Sequence, residues 1–478
     1  MNAKLILCFI IFAPLAGAFL LPFLGSISRK FRNIAALVLV ATSVILSFVA
    51  LPSSISGSPL QFNVEFPMNF NFGFLGDGLA VFMAITSAFI CAIIIFYSFG
   101  YIDHYKNQNE YYLMVVLFIG SMMGIVYTTN LIFLYVFWEI SGICSWRLIG
   151  FYRDKDIVRK ADKAFLVTVF GALLMLIGFI MIYSQTGTFN LVALRGTHIS
   201  NLAVFLILVG IFSKSATLPL HTWLPDAGVA PSPVTSLLHA AVLVKIGVYV
   251  FARLFLITFN IDEIWHTVIP VIVGASALVS AGAAIIETDI KRIIAYSTVS
   301  QIAFIFLGLA TGTVVGAAGA ILYILMHGLA KGGLFLCAGI IEQNTHTKDI
   351  RKLGGLITTM PVTAIAFAIC AFSVMGIPPL GGFFSKMMVI NGAVIANEPL
   401  IALTFIVGAV FTMIYMLRLF IKVFFGENKF PEIKEGSFTM VFSVVVLAVL
   451  SILGGLFIYY PANFVNSVVH QMSMISLN

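Results

Sequence analysis

Fourteen apolar stretches, each long enough for the roughly 20-residue helix that crosses a bilayer, follow one another along this chain. They lie near 3–23, 31–51, 78–100, 112–128, 130–150, 164–184, 201–220, 233–258, 267–287, 291–310, 317–341, 360–395, 400–425 and 438–459. This pattern predicts an all-α polytopic membrane protein with about 14 transmembrane helices. Composition closes other routes: 61% of the 478 residues are hydrophobic and 9% charged. So few charges cannot solvate a folded surface, which excludes a soluble enzyme, a nucleic-acid-binding domain and a disordered regulator. Ala16 and Ala18 give the first run the small residues of a cleavage site, yet it stays apolar to about Leu24, so an uncleaved first span is expected.

An even number of spans puts both termini on one side, and the distribution of Lys and Arg chooses which. Loops after odd-numbered spans hold seventeen basic residues, among them Arg29, Arg153, Lys163, Lys291, Arg292 and Lys352, whereas the opposite loops hold Lys4, Arg195 and Arg253. The odd loops are therefore expected in the cytoplasm and both termini outside the cell membrane. The net charge of +7 is this topology signal and calls for no nucleic acid. Cys8, Cys91, Cys144, Cys337 and Cys370 stand singly, so neither a disulfide framework nor a metal or iron–sulfur site is expected.

Six basic residues remain inside spans. Arg147 and Arg418 lie toward helix ends, where they snorkel to headgroups. Lys214, Lys245, Lys331 and Lys386 lie deeper, and Glu139 is the acidic residue near mid-span. At about 2.5–3.5 kcal/mol per central charge, these five cost on the order of 12–18 kcal/mol if unpaired. Buried ion pairs, or neutral lysines that fix helix packing, are the structural alternative; five such groups spread over five spans favour an ion or proton pathway. Lysine suits that work because burial readily shifts it toward its neutral form. His327 precedes Lys331 by one helical turn and shares its face, His239 lies six residues before Lys245, and His221 adjoins a break.

Proline in mid-helix frees backbone carbonyls at membrane depth, which is tolerated beside water or protein. Pro219 and the Pro378–Pro379 pair therefore mark the seventh and twelfth spans as broken, each with a lysine nearby, Lys214 and Lys386. Breaks five spans apart imply two inverted five-helix repeats. The expected organisation is three helices in 1–110, a first repeat in 111–258, its inverted copy in 259–426 and a C-terminal helix in 427–478.

Several stretches carry a resemblance: DGLAVFM at 77–83, FWE ending at Glu139, SKSATLPLHTWLPDAGVAPSPVTSLLHAAVLVKIGVYVFARL at 213–254, DIKRIIAYSTVSQIAF at 289–304, LMHGLAKGGLFLCAG at 325–339, TKDIRKLGGL at 347–356 and GIPPLGGFFSK at 376–386. Together they resemble the antiporter-like proton-translocating subunits of respiratory complex I, Mrp-type sodium/proton antiporters and membrane-bound hydrogenases. The resemblance implies that Glu139 pairs with Lys214, that Lys245 with the His327/Lys331 pair forms a central hydrophilic axis, and that Lys386 delivers the proton to the outer half-channel. Some members have glutamate where this sequence has Lys386. The short sequence after the last span implies the mid-sized class.

The expected function is thus a proton-translocating membrane subunit of a multisubunit complex, with sodium/proton exchange as a further expectation. The pathway residues are Glu139, Lys214, Lys245, His239, His327, Lys331 and Lys386. No Gly-rich dinucleotide loop, cysteine cluster or haem-type histidine pair is present, so no cofactor and no catalytic centre of its own are expected. Redox chemistry would belong to iron–sulfur partner subunits. The other partners expected are further membrane subunits, H+, Na+ and lipid. The rival readings are an independent secondary transporter and a non-pumping structural subunit.

Overall fold

The computed structural model describes residues 3–66 and 70–476. Among these, twelve helices are long and apolar enough to cross a membrane. They are α1 (Ala3–Ile27), α2 (Arg29–Ile55), α3 (Gly78–Tyr101), α4 (Gln108–Tyr127), α5 (Leu131–Ile149), α6 (Lys155–Thr186), α8 (Ser232–Thr258), α9 (Ile264–Ile286), α10 (Ile290–Ala310), α11 (Val314–Thr345), α14 (Pro399–Phe424) and α15 (Phe438–Leu456). Three shorter apolar helices complete the bundle: α7 (Asn201–Lys214), α12 (Pro361–Met375) and α13 (Gly381–Ile395). A further helix, α16 (Tyr459–Ser476), follows. The chain is a multi-pass membrane protein.

The layering follows from how polar each helix is and how much of it is covered. In α8, α10 and α11, 94% of the apolar window is buried inside the molecule, against 28% in α2 and 33% in α14. On α6 the exposed residues Leu166, Phe170, Leu173, Ile177 and Ile180 recur every three or four positions, an apolar stripe suited to lipid or a neighbouring protein. Lys245, His239, His327 and Lys331 all lie on the fully enclosed helices.

Helix starts are set by short polar side chains. Asp77, Asn130, Ser200, Asp289 and Thr313 each accept a hydrogen bond from the first turn of α3, α5, α7, α10 and α11, satisfying backbone donors that would otherwise be unpaired. Two of these caps also join strand-like bridges. Asn130 pairs with Asn190 beyond α6, and Asp289 with Asp349 beyond α11. Both α6 and α11 have 32 residues.

The structure adds short elements to the all-α membrane framework. The 51–77 loop holds an antiparallel hairpin, β1 (Leu60–Phe66) with β2 (Phe70–Gly76), and residues 197–198 pair in parallel with 259–260. In LQFNVEF apolar and polar residues alternate, the two-residue period of a strand with one covered face. The 360–395 stretch is two helices, α12 and α13, with residues 376–380 between them. Residues 459–476, beyond the last expected span, form α16, which packs on α11 and α3.

Candidate functional site

Helix α8 is irregular where it matters. Residues Leu237–Ala241 form a π-turn, with Val242 N donating to Leu237 O at 2.9 Å. A π-turn inserts one residue into the helix and re-aims the side chains around it, a feature common at functional sites. His239 lies within this turn and Lys245 just after it. Lys245 Nζ donates to Ile324 O of α11 at 2.8 Å. Gly328 makes room for this approach, because a Cβ there would collide with the ammonium group.

The other deep lysines are held in the same manner. Lys331 Nζ donates to Ile294 O at 3.0 Å and Ser297 Oγ at 2.6 Å. Lys386 Nζ donates to Val374 O at 2.7 Å and lies 4.6 Å from the centre of the Phe304 ring. Val374 belongs to the last turn of α12, where the helix stops before a residue that could bond its carbonyl. Lys214 Nζ donates to Trp138 O at 2.9 Å, over the indole ring at 4.9 Å. All four lysines are 4% exposed or less. Among the described residues none is in an ion pair. Dry carbonyls and aromatic faces are weak compensation for a buried charge, so packing by ion pairs does not explain these residues.

Glu139 and Lys214 converge without closing. A Cβ on Gly142 would lie 3.6 Å from Lys214 Nζ and 3.8 Å from Glu139 Oε2, yet the ammonium group rests on Trp138 O. Glu139 Oε1 has no hydrogen-bond partner among the described residues, nor do the ring nitrogens of His239 and His327. His327 is within electrostatic reach of Lys245, Lys331, Lys386 and His239, and its ring meets Tyr323 edge to face at 5.8 Å. The His221 carbonyl accepts from Leu224 N while its Nδ1 has no partner among the described residues. Pro219, Pro378 and Pro379 lie between helices, after α7 and between α12 and α13.

A chain of neutral polar groups, not foreseen from the sequence, runs from Lys331 to Tyr323, whose ring faces Lys386. Ser297 Oγ accepts from Lys331 and from Tyr415 Oη at 2.7 Å. Tyr415 Oη also lies 3.2 Å from Thr412 Oγ1, which accepts from Gln301 Nε2 at 3.1 Å. Gln301 Oε1 accepts from Tyr323 Oη at 2.6 Å, and the Tyr323 ring centre is 5.6 Å from Lys386 Nζ. The run STVSQ at 297–301, inside an apolar span, was its sequence signal.

Two basic residues counted as loop charges are buried instead. Arg253 forms a two-pronged pair with Asp77, at 2.5 and 2.8 Å, and donates to Tyr249 Oη. Lys291 is paired with Glu342. Hydropathy marks where a helix runs, not how far neighbouring elements cover its ends.

Residues 128–412 match the family described as NADH:quinone oxidoreductase/Mrp antiporter, TM. Residues 63–112 match the N-terminal region of complex I chain 5. The A1 subunit of the Na(+)/H(+) antiporter of Staphylococcus epidermidis is 33% identical over 96% of this chain and 62% of its own length. The corresponding Na(+)/H(+) antiporter protein of Alkalihalophilus pseudofirmus is 34% identical over 93% of this chain and 60% of its own length. The chain thus spans about three fifths of these relatives. A chain of the Mrp complex from a Dietzia species superposes with a TM-score of 0.89 at 22% identity, covering 99% of both chains. A chain of the archaeal membrane-bound sulfane sulfur reductase gives 0.89 at 22% identity over 98% of both. With more than half its length matched by the family model, this chain belongs to the NADH:quinone oxidoreductase/Mrp antiporter family of membrane subunits.

Proposed function

We propose that this chain is a proton-translocating subunit of a multisubunit complex in the cell membrane, of the Mrp sodium/proton antiporter type. The observation that carries this reading is the row of buried lysines without ion-pair partners, with Ser297, Tyr415, Thr412, Gln301 and Tyr323 running from Lys331 toward Lys386. The antiporter relatives support it. A proton enters from the cytoplasm, passes Lys245 and the His327/Lys331 pair, and reaches Lys386 through water ordered along the hydroxyl and amide groups. Approach of Glu139 to Lys214 favours the charged lysine and separation favours the neutral one, so motion at the Gly142 gap would drive the proton onward. Any electron transfer belongs to partner subunits.

The architecture that fits this role is two inverted copies, 111–258 and 259–426, flanked by 1–110 and 427–478, with basic loops in the cytoplasm and both termini outside. The matched caps and bridges at Asn130/Asn190 and Asp289/Asp349 support it. So does the parallel between the two breaks, where Ala216 and Gly376 both have positive φ, 53° and 83°, and where Thr217 N donates to Phe212 O as Ile377 N does to Phe372 O.

The test replaces Lys245 or Lys386 by alanine in the assembled complex and follows ion movement in everted membrane vesicles. Loss of transport with intact assembly supports the reading; unchanged transport overturns it, and loss of assembly alone indicates a structural subunit. Iron–sulfur partners on purification would move the chain to a redox-driven complex.

A further inference from the structure

The face that carries most basic loops has a cavity of about 700 Å³, with Tyr101, Tyr105, Tyr152, His104, His346 and Glu342 among its walls. Glu435 also borders it, but its carboxylate is occupied in capping α12 through Val362 N, Thr363 N and Thr363 Oγ1. Glu342 is differently placed. Its Oε2 is 2.5 Å from Lys291 Nζ and accepts from Ser232 Oγ at 3.3 Å. The Glu342 side chain is 24% exposed, whereas that of Lys291 is 1% exposed and is anchored from behind by Ala230 O at 3.0 Å. The pair therefore stands where the wet cavity meets the dry interior.

Behind it runs a ladder of buried hydroxyls between α8 and α11. At Gly339 an added Cβ would lie 2.9 Å from Ser232 Oγ and 2.6 Å from Tyr97 Oη, so both hydroxyls border the space this glycine leaves open. Tyr97 donates to Leu336 O at 2.9 Å, and one turn deeper Ser236 donates to Gly332 O at 3.4 Å. The next turn brings His239, whose two ring nitrogens lack partners among the described residues. Three other acidic groups on this face are engaged by arginine: Asp226 by Arg292 together with Lys163, Glu287 by Arg292, and Glu110 by Arg147 and Arg153.

We propose that Glu342, paired with Lys291, is the proton-loading gate of this cavity, and that Ser232, Tyr97 and Ser236 lead from it to His239. A hydronium ion gives its proton to the Glu342 carboxylate and leaves as water. The carboxylic acid donates to Ser232 Oγ as that hydroxyl passes its own proton inward, and the transfer repeats, through water where hydroxyls are too far apart, until an imidazole nitrogen of His239 accepts. While Glu342 is neutral, the buried Lys291 side chain is left without its counter-charge, which drives the carboxylate to re-form and makes loading brief.

The inference rests on the proton-translocating reading, and the variants separate the two. In everted vesicles holding the assembled complex, Glu342→Gln is expected to slow proton movement at least tenfold, Ser232→Ala severalfold, and Glu342→Asp less than the glutamine change. Lys386→Ala is the control for the parent reading. If Lys386→Ala abolishes transport while Glu342→Gln and Ser232→Ala run at the unaltered rate, the gate is wrong and the parent reading stands. If none of the three affects transport, the parent reading fails with it. Should Glu342→Gln not assemble, Ser232→Ala decides alone. A Glu342→Cys variant is expected to react with a membrane-impermeant thiol reagent added from the cytoplasmic side; reaction only from the opposite side overturns the proposal.

Discussion

Asn130 and Asp289 occupy the same local structure in two parts of the chain. Each precedes a helix and accepts from the backbone of its second and third following residues, Ile132 and Phe133 in one case, Lys291 and Arg292 in the other. Each bridges to the loop after the next helix. Leu131 N donates to Phe189 O and Leu191 N to Thr129 O, while Ile290 N donates to Lys348 O and Ile350 N to Thr288 O. The ends of those next helices match as well. Thr186 and Thr345 turn their hydroxyls back to Ile182 O and Ile341 O and forward to Thr188 O and Thr347 O. Two unrelated segments would not converge on so many identical bonds, which is why these contacts support the two-copy reading.

Replacing either cap by alanine removes the side-chain acceptor for two first-turn donors. Asn130→Ala and Asp289→Ala are each expected to cost about 1 kcal/mol, the usual cap value. The sites belong to different helix pairs, so their effects should add within a few tenths. Thermal unfolding of the purified complex checks both; a double variant no less stable than either single one would mean that the two caps are not independent.

The lysines were legible because a charge in an apolar run is costly, and four together outweigh the bland reading of each alone. The path between them was not. Ser297, Thr412 and Tyr415 cost little in a span, their roles depend on three helices meeting, and a single sequence carries no record of that meeting. The π-turn at Leu237–Ala241 leaves no periodic mark either, since LLHAA reads as ordinary helix. Lys291 and Arg253 were misread for the opposite reason: a basic residue near a span end looks like a topology charge until Glu342 and Asp77 are brought to it from distant sequence. The hairpin at 60–76 did leave a period-two trace, hidden in a loop that otherwise stands out only for its lack of basic residues.

The crossing of the second break by α15 depends on glycine. A Cβ on Gly455 would overlap Pro379 O and lie 2.7 Å from Gly381 N, and one on Gly382 would overlap Ser373 O. These neighbours are backbone and cannot swing aside. Gly455→Ala is expected to destabilise by about 1–3 kcal/mol, as overpacking does, and to slow transport by displacing the α12 end that holds Lys386. Gly282→Ala on α9 meets nothing within 4 Å and should leave both stability and transport unchanged. Equal effects of the two substitutions would refute the packing argument.

Asp77 and Arg253 tie the start of α3 to α8 through a pair whose side chains are 12% and 7% exposed. Removing one partner strands the other charge, so Arg253→Met or Asp77→Asn should each cost about 3–5 kcal/mol. The double variant, which removes both charges, is expected to be more stable than the Asp77→Asn protein. Melting curves of the three variants check this. A double variant as unstable as the sum of the singles would show that the pair is not energetically coupled.

Asp226, in the short segment after the first break, joins Lys163 of α6 and Arg292 of α10 at 2.8 and 2.7 Å. Burial alone would raise its carboxyl, but hydrogen bonds and charge from both partners outweigh that and hold it below the usual carboxylate range. A carboxyl with a depressed folded pKa contributes stability that is fully present above its unfolded value, about 3.9, and lost as pH falls through the folded one. The complex should therefore keep this contribution at neutral pH and shed it below about pH 4. Asp226→Asn is expected to lower the melting temperature at pH 7 by a deficit that shrinks as the pH falls below about 4. A deficit that does not shrink below that pH would mean that Asp226 acts through shape or hydrogen bonding, and not through its charge.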